Sequence, residues 1–333
     1  MGKMAVIVVI GFLGILGLLM YNMQRSSVMA TESAVTHFEK STARIIAETG
    51  MHRGWRLLED NDTVSVSNAS LLNGRYSVSM SQIATDTVRL MSSASFGRAA
   101  DTVTTVFFKT IKPVPDAPGA VSLASDTVDV SINGTPHRYA VDGRDYDMNG
   151  NLVGVGKPGI ICHSSYDSVQ SAAYLSQITG NPSPVSIQSD IPQPTSFIND
   201  LIGNADYTFT GDIPGGNFGT RDHPAIVFCD GTGSTVTLNG NNVIYGIVII
   251  KGNVKITGTF QFYGLMIAYN DVVSISVDAA GTADMYGGMI MAGGAHSSFS
   301  MQGTATFYYS SASLSNIRKI QRLRLYALQD WYE

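Results

Sequence analysis

Between Lys3 and Arg25 the sequence carries no charged residue, and residues 4–20 are almost wholly apolar. At about 1.5 Å of rise per residue, an uncharged helix of roughly 20 residues spans a bilayer core of roughly 30 Å. No proline occurs before Pro113. Apolar side chains recur at Val28, Val35, Phe38, Ile45, Ile46, Trp55 and Leu58, near one face of a continuing helix. The pattern predicts one helix from about Met4 to Leu58, on the order of 80 Å long. Such a start commits the chain to an anchor that becomes a stem, with the remaining residues as what the stem carries. The residues expected to pack in assembly are Val6, Ile10, Leu13, Leu16, Leu19, Val28, Val35 and Phe38.

Gly11, Gly14 and Gly17 permit close helix approach within the apolar run. A cleaved secretory signal needs a basic start, a shorter apolar core and a small-residue cleavage site, which fit this run poorly. Lys3 and the amino terminus precede the run and mixed charges follow it, so the positive-inside tendency puts the amino terminus in the cytoplasm and the rest outside. Gly50 and Gly54 weaken the helix by roughly 1 kcal/mol each relative to Ala and would allow close packing where the stem meets a globular part.

At residues 60–62 the period changes from helical to alternating. Residues 63–67, 76–80, 87–91 and 102–111 read as strands, with turn signals at Asn73-Gly74 and Phe96-Gly97. The prolines of 113–119 mark a linker, since proline favours extended, unpaired chain. The expected organisation is a transmembrane and polymerisation helix (1–60), a β-meander (61–112), the linker (113–119), a middle α/β domain (120–205), a β-solenoid of either hand (206–310) and a C-terminal capping helix (311–333). This is an α+β, mainly β, fold class.

The solenoid reading comes from a repeat. Tyr245-Gly246, Tyr263-Gly264 and Tyr286-Gly287 each precede a short apolar run, at a period of roughly 20 residues with glycine at the corners. The three tyrosines read either as a sugar-stacking platform or as a ladder between coils. Residues 164–178 and 195–202 read as short helices. Leu314, Ile317, Ile320, Leu323, Leu328 and Trp331 predict a helix over 313–332 whose apolar face caps the stack or returns to the stem; its basic residues would also suit an anionic membrane.

Charged residues are only 14% of the chain and the net charge is −5, which argues against a nucleic-acid partner. Asp145, Asp147, Asn149, Gly150 and Asn151 reproduce the first half of a calcium loop, with Asp142 as a further candidate ligand and Gly156 where an EF-hand has Glu. The same residues also read as an Asx-rich turn without an ion. Cys162 and Cys229 are left either as a disulfide or as two buried thiols. The six histidines, at 37, 52, 137, 163, 223 and 296, show no metal-ligand spacing, and there is no nucleophile elbow or phosphate loop. Asp230, Asp271, Asp278 and Asp284 are the carboxylates that a glycosidase in the repeat region would use, but they fall mostly at turns. The residues therefore predict no enzyme.

Met-x-Arg-Ser-Ser at 23–27 and Ala-Glu-Thr-Gly-Met-His-Arg-Gly-Trp at 47–55 resemble the PilX-type N-terminal segment of type IV pilus-associated proteins. The segment 142–150, the glycine-rich repeats and Tyr-Tyr-Ser-Ser-Ala-Ser-Leu at 308–314 also resemble long bacterial members of that group. The resemblance implies a structural, pilin-like subunit, held in the inner membrane before assembly. Its N-terminal helix would then pack against copies of itself or other pilins in an extracellular filament. The chain departs from the family at its start: with a cut after Gly2, the usual glutamate five residues on is Ile7. The alternative is a membrane-anchored, non-polymerising surface adhesin or glycan-binding module.

Overall fold

The computed structural model describes residues 2–61, 63–134, 138–191, 193–238, 240–270, 276–279, 282–294 and 296–332, with backbone alone at 2–6, 61, 276–279 and 282. A long N-terminal helix is followed by mostly strand, an α+β arrangement. The chain divides into two compact units, Met1–Thr110 with Arg324–Glu333, and Ile111–Leu323.

In the first unit, helix α1 (Gly2–Asn61) runs unbroken for 60 residues, roughly 90 Å. Strands β1 (Ser65–Leu71), β2 (Gly74–Ala84), β3 (Thr87–Phe96) and β4 (Ala99–Ile111) form an antiparallel meander, longer at most ends than the alternation alone suggested. Leu72 and Asn73 make the first hairpin turn with φ of 50° and 64°, the left-handed pair that matches strand twist. Alternate residues Tyr76, Val78, Val88, Leu90, Ala94, Val103 and Phe107 face Ile46, Ala47, Met51 and Leu58 of the helix. Each large side chain buried this way contributes roughly 1.5–3 kcal/mol. Gly50 and Gly54 are where the sheet comes closest. A Cβ on Gly50 would lie 2.5 Å from Ser92 Oγ and 2.7 Å from the Tyr76 ring, and one on Gly54 would lie 2.7 Å from Val78 Cγ1.

The second unit is a stack of parallel strands. Ala225–Leu238, Asn242–Ile256, Thr259–Tyr269 and Thr282–Ala292 pair in sequence; in a second row Ser276–Ala279 pairs with residues 254–256 and Ser297–Gly303 pairs with Ser276–Ala279. The register sets Tyr245 beside Tyr263, Tyr263 beside Tyr286 and Tyr286 beside Tyr308, with Gly246, Gly264 and Gly287 also aligned. Those glycines have φ of 133°, 148° and 147°, and a Cβ on each would strike a carbonyl oxygen of the neighbouring strand. The Tyr-Gly repeat is thus the signature of a corner that only glycine can turn.

The apolar runs after each glycine are buried on both sides, as parallel strands usually are. Val248, Ile250, Met266, Ala268, Met289 and Met291 point into the inner core. Ile247, Ile249, Leu265, Ile267 and Ile290 point outward and are covered by Phe197, Ile198 and Leu201 of the helix Thr195–Ile202 and by Ile317, Ile320 and Leu323. Strands Val121–Leu123 and Val128–Gly134 lie beside residues 289–291 and 297–303, so an early segment continues the stack past the last repeat.

Three boundary expectations are corrected. Residues 120–205 and 206–310 are not separate domains, because the early strands are layers of the same stack. The proline-rich 113–119 stretch lies within that unit, with Ala117 buried in its outer core; proline removes ladder donors without preventing burial. The C-terminal helix covers only Ser311–Asn316. Two short 3-10 turns come next, and Arg324–Tyr332 is a strand beside β4. Tyr326 and Trp331 join the first unit's core, and the open edge of β4 supplies backbone partners that a helix there would forgo.

The helix from 164 to 178 is likewise shorter, Ser165–Ala172, followed by the 3-10 turn Leu175–Gln177 and the strand Ile178–Thr179. Residues 195–202 are helical as expected.

Candidate functional site

The first candidate surface is the amino-terminal part of α1. Ile10, Leu13, Leu16 and Leu19 are 64%, 61%, 40% and 54% exposed, and Val28, Val35 and Phe38 are also bare. The side chain of Val6 lies outside the described residues. This stretch is long and apolar enough to cross a membrane, and none of its most apolar window is buried. From Ala43 to Leu58 the character changes, and one face goes under the sheet. One helix therefore has a bare apolar half and a docked half. Contact with the sheet begins just ahead of the docked half, where Glu39 Oε2 accepts from Arg98 N at 3.3 Å and one edge of the otherwise exposed Phe38 meets Phe96, centroids 5.9 Å apart.

The second candidate is the tyrosine row of the stacked unit. Ring centroids are 4.6 Å apart for Tyr245 and Tyr263, 5.4 Å for Tyr263 and Tyr286, and 4.8 Å for Tyr286 and Tyr308, with planes within 14° of parallel. Tyr146 closes the row edge-on against Tyr308 at 4.9 Å. All five are half-buried. Burial, then the nearby Asp284 carboxylate, pushes the Tyr286 phenol up to about 12. Rings stacked face to face have occupied faces, so the row is a ladder between layers rather than a platform offering ring faces to sugars. Its last members, Tyr308 and Tyr146, carry no Tyr-Gly signature. Tyr308 is legible only from the pairing of 306–309 with 284–287.

The loop read as a calcium motif lies against this ladder. Asp142, almost fully buried, accepts from Arg144 N at 3.0 Å and forms a two-pronged ion pair with the Arg144 guanidinium at 3.0 and 2.6 Å. Tyr146 Oη also donates to it at 2.8 Å, and burial with that hydrogen bond raises the phenol's pKa. Arg144 lies 5.5 Å from the Tyr139 ring centre and 5.8 Å from that of Tyr146. Asp145 instead accepts from Ser311 N at 2.9 Å and Ser311 Oγ at 2.7 Å. Asp147 accepts from Asn149 N and Asn151 N at 2.8 Å each and from Asn151 Nδ2 at 2.9 Å, and its pKa is lowered chiefly by Asn151. Asn149 Oδ1 accepts from Arg221 at 3.2 Å. The three carboxylates thus serve three different sets of donors, the arrangement of an Asx-rich turn, with Gly150 at φ 84°. Among the described residues no three His, Cys, Asp or Glu side chains gather into a metal-holding group.

Cys162 and Cys229 are free, buried thiols, which corrects the disulfide reading. Cys162 Sγ lies 3.7 Å from Ser171 Oγ, while Cys229 points into the inner core, and burial pushes the two thiols up to about 11 and about 12. Of the glycosidase carboxylates, Asp230 accepts from the backbone and hydroxyl of Thr232, and Asp284 pairs with Arg138 at 2.6 Å. Asp271 and the side chain of Asp278 lie outside the described residues. Arg138, whose Nη2 also donates to Tyr308 Oη at 3.2 Å, is a clamp on the ladder that no motif announced.

No protein-family model matches this chain, and no curated protein does. Three chains of solved structures match. One is the crystal structure of the competence-associated pilin ComZ from Thermus thermophilus, 12% identical over 89% of this chain and 97% of that one, at a TM-score of 0.25. At that score nothing is carried from it to this chain.

Proposed function

We propose that this chain is a pilin-like structural subunit without catalytic activity. The observation that carries the reading is the division of α1: a bare apolar half long enough to cross a membrane, continuous with a half docked beneath an antiparallel sheet. In this reading the bare half sits in the inner membrane before assembly and against other helices afterwards. Its contacts would be copies of itself or other pilins, and the stacked unit would be a β-solenoid displayed at the cell surface. Lipid is as apolar as these side chains, so van der Waals packing between helices, eased by small residues such as Gly14 and Gly17, would drive such a transfer rather than burial from water.

A membrane-anchored adhesin that never polymerises would share the helix but not the filament, and the occupied faces of the tyrosine ladder do not favour sugar stacking. Shearing cells that express the chain and imaging the released material separates the two. Filaments containing the chain, with helical order, are the expected result. Chain that stays entirely with the membrane fraction would overturn polymerisation.

A further inference from the structure

The stack of parallel strands has two ends, and the chain treats them differently. At one end lie the terminal strands Val128–Gly134 and Val185–Ile187. Side chains take up the outward edge of the first: Val128 N donates to Asp167 Oδ1 at 2.6 Å, Gly134 N donates to Gln177 Oε1 at 2.6 Å, and Ile132 O accepts from Gln177 Nε2 at 3.4 Å. On the second, Val185 O accepts from Ser183 Oγ at 2.6 Å, and Pro182 and Pro184, which have no N–H, lead into the strand. The helix Ser165–Ala172 packs against both strands. Devices of this kind keep a sheet from accepting another strand.

The other end lacks them. Its terminal strand, Tyr207–Thr210, is bonded to residues 227–230, and among the described residues nothing else hydrogen-bonds to it. Tyr207, Thr208 and Thr210 are exposed, while Tyr207 and Phe209 rest edge-on against Phe218 with centroids 5.2 and 5.5 Å away. The strand is held straight at both ends, since Asp206 Oδ2 accepts from Ile226 N at 2.8 Å and Gly211 N donates to Asp230 O at 3.0 Å. It carries no charge, and tyrosine, threonine and phenylalanine are residues that suit strand pairing.

We propose that two copies of this chain pair through this bare edge, strand against strand, about a two-fold axis. The capped end accepts no strand, so a copy has only its own bare edge to offer, and head-to-tail growth is shut off. Identical edges related by a two-fold axis run antiparallel, the more stable of the two ladder geometries. Centred between Thr208 and Phe209, the pairing lays Asp212 of each copy alongside the Asp206–Arg322 ion pair of the other. There the guanidinium lies 3.2 Å from Asp206 and keeps exposed surface for a second carboxylate. Four residues from each copy make a small contact, one that is populated where copies are crowded on a surface. It lies in the stacked unit and is independent of what α1 does.

The test uses the full chain reconstituted at one copy per lipid nanodisc, so that the helices of two copies cannot meet. Sedimentation equilibrium then reads paired discs. At about 0.1 mM, where a contact this small is populated, pairs are expected. Thr208→Lys, which sets like charges across the pair, should lower the paired fraction about tenfold, and so should Thr210→Lys. Val169→Lys, at a 70% exposed position on the helix of the capped end, should leave it unchanged. An excess of a peptide of residues 205–212 should separate the discs. Thermal melts equal to that of the unmodified chain assign any loss to the edge, and if Thr208→Lys melts early, Thr210→Lys carries the comparison. Single discs from the unmodified chain, pairs that survive both edge lysines, or pairs lost equally with Val169→Lys would overturn the proposal.

Discussion

Gly50 and Gly264 both stand where a Cβ has no room, but what fills the space differs. At Gly50 the obstacles are side chains, Ser92 Oγ and the Tyr76 ring, belonging to a sheet that was free to settle at another distance from the helix. At Gly264 the obstacle is the carbonyl oxygen of Gly246, fixed by a parallel ladder that runs the length of the stack, and φ is 148°. The first glycine sets how closely two elements pack; the second is required for the backbone path to exist. The helix-bearing unit therefore resembles an adjustable joint, and the stacked unit a repeat in which one corner constrains all the others.

The largest difference between the units should appear at high pH. The stacked unit holds Cys162, Cys229, Tyr286 and Tyr309, whose burial pushes their pKa values to about 11, 12, 12 and 12. These acids stay protonated in the fold after they would ionise in the open chain, so their contribution is whole below about pH 9 and is lost as pH climbs towards 12. Circular dichroism of the tyrosine band should collapse across that window while helical signal from α1 persists; simultaneous loss of both would erase the contrast.

Next in size is Gly264→Ala, expected to destabilise the stacked unit by roughly 3 kcal/mol or more, because neither the φ value nor the carbonyl can yield cheaply. Thermal melting of the full chain in detergent measures it. Tyr263→Ala, which removes a ring from the middle of the ladder, should cost about 2 kcal/mol, and Tyr263→Phe less than about 0.5. Gly50→Ala should cost less than Tyr263→Ala, a net loss of about 1 kcal/mol, since overpacking outweighs the gain in helix propensity. Adding Ser92→Ala should recover part of that loss. A Gly50→Ala effect as large as that of Gly264→Ala would break the distinction between the two glycines. The least change is expected of Asp147→Ala, which should loosen the 145–154 hairpin to proteases without moving the global melt; a calcium-dependent rise in the melt of the unmodified chain would favour the ion-binding reading over the Asx-rich turn.

The helix and the Tyr-Gly frame were legible because each repeats with a fixed period, and a period survives in sequence. What stayed hidden depends on residues far apart in the chain. Nothing near Val121 announces that it will lie beside Met289, and nothing in 306–309 announces that Tyr308 will extend the ladder. The C-terminal stretch misled for a related reason. Leu323, Leu328 and Trp331 are spaced well enough for a helix, but the strand at Arg324–Tyr332 is decided by an edge of β4 that no local pattern encodes. The oxygen-rich loop hides connectivity of another kind: Asp142 engages Arg144 and Asp145 engages Ser311, partners that the alternating spacing does not announce.

Lys112 N donates to Leu323 O at 2.7 Å, so the chain enters and leaves the stacked unit at one point, and β4 waits for its neighbour until that whole unit has been made. From the end of β4 at Ile111 to Arg324 is 324 − 111 = 213 residues. At roughly 5–20 residues per second of synthesis, the edge of β4 stands unpaired for about 10–40 s on every ribosome. A newborn chain is most open to wrong partners during that interval, and slowing translation across the stacked unit would lengthen it.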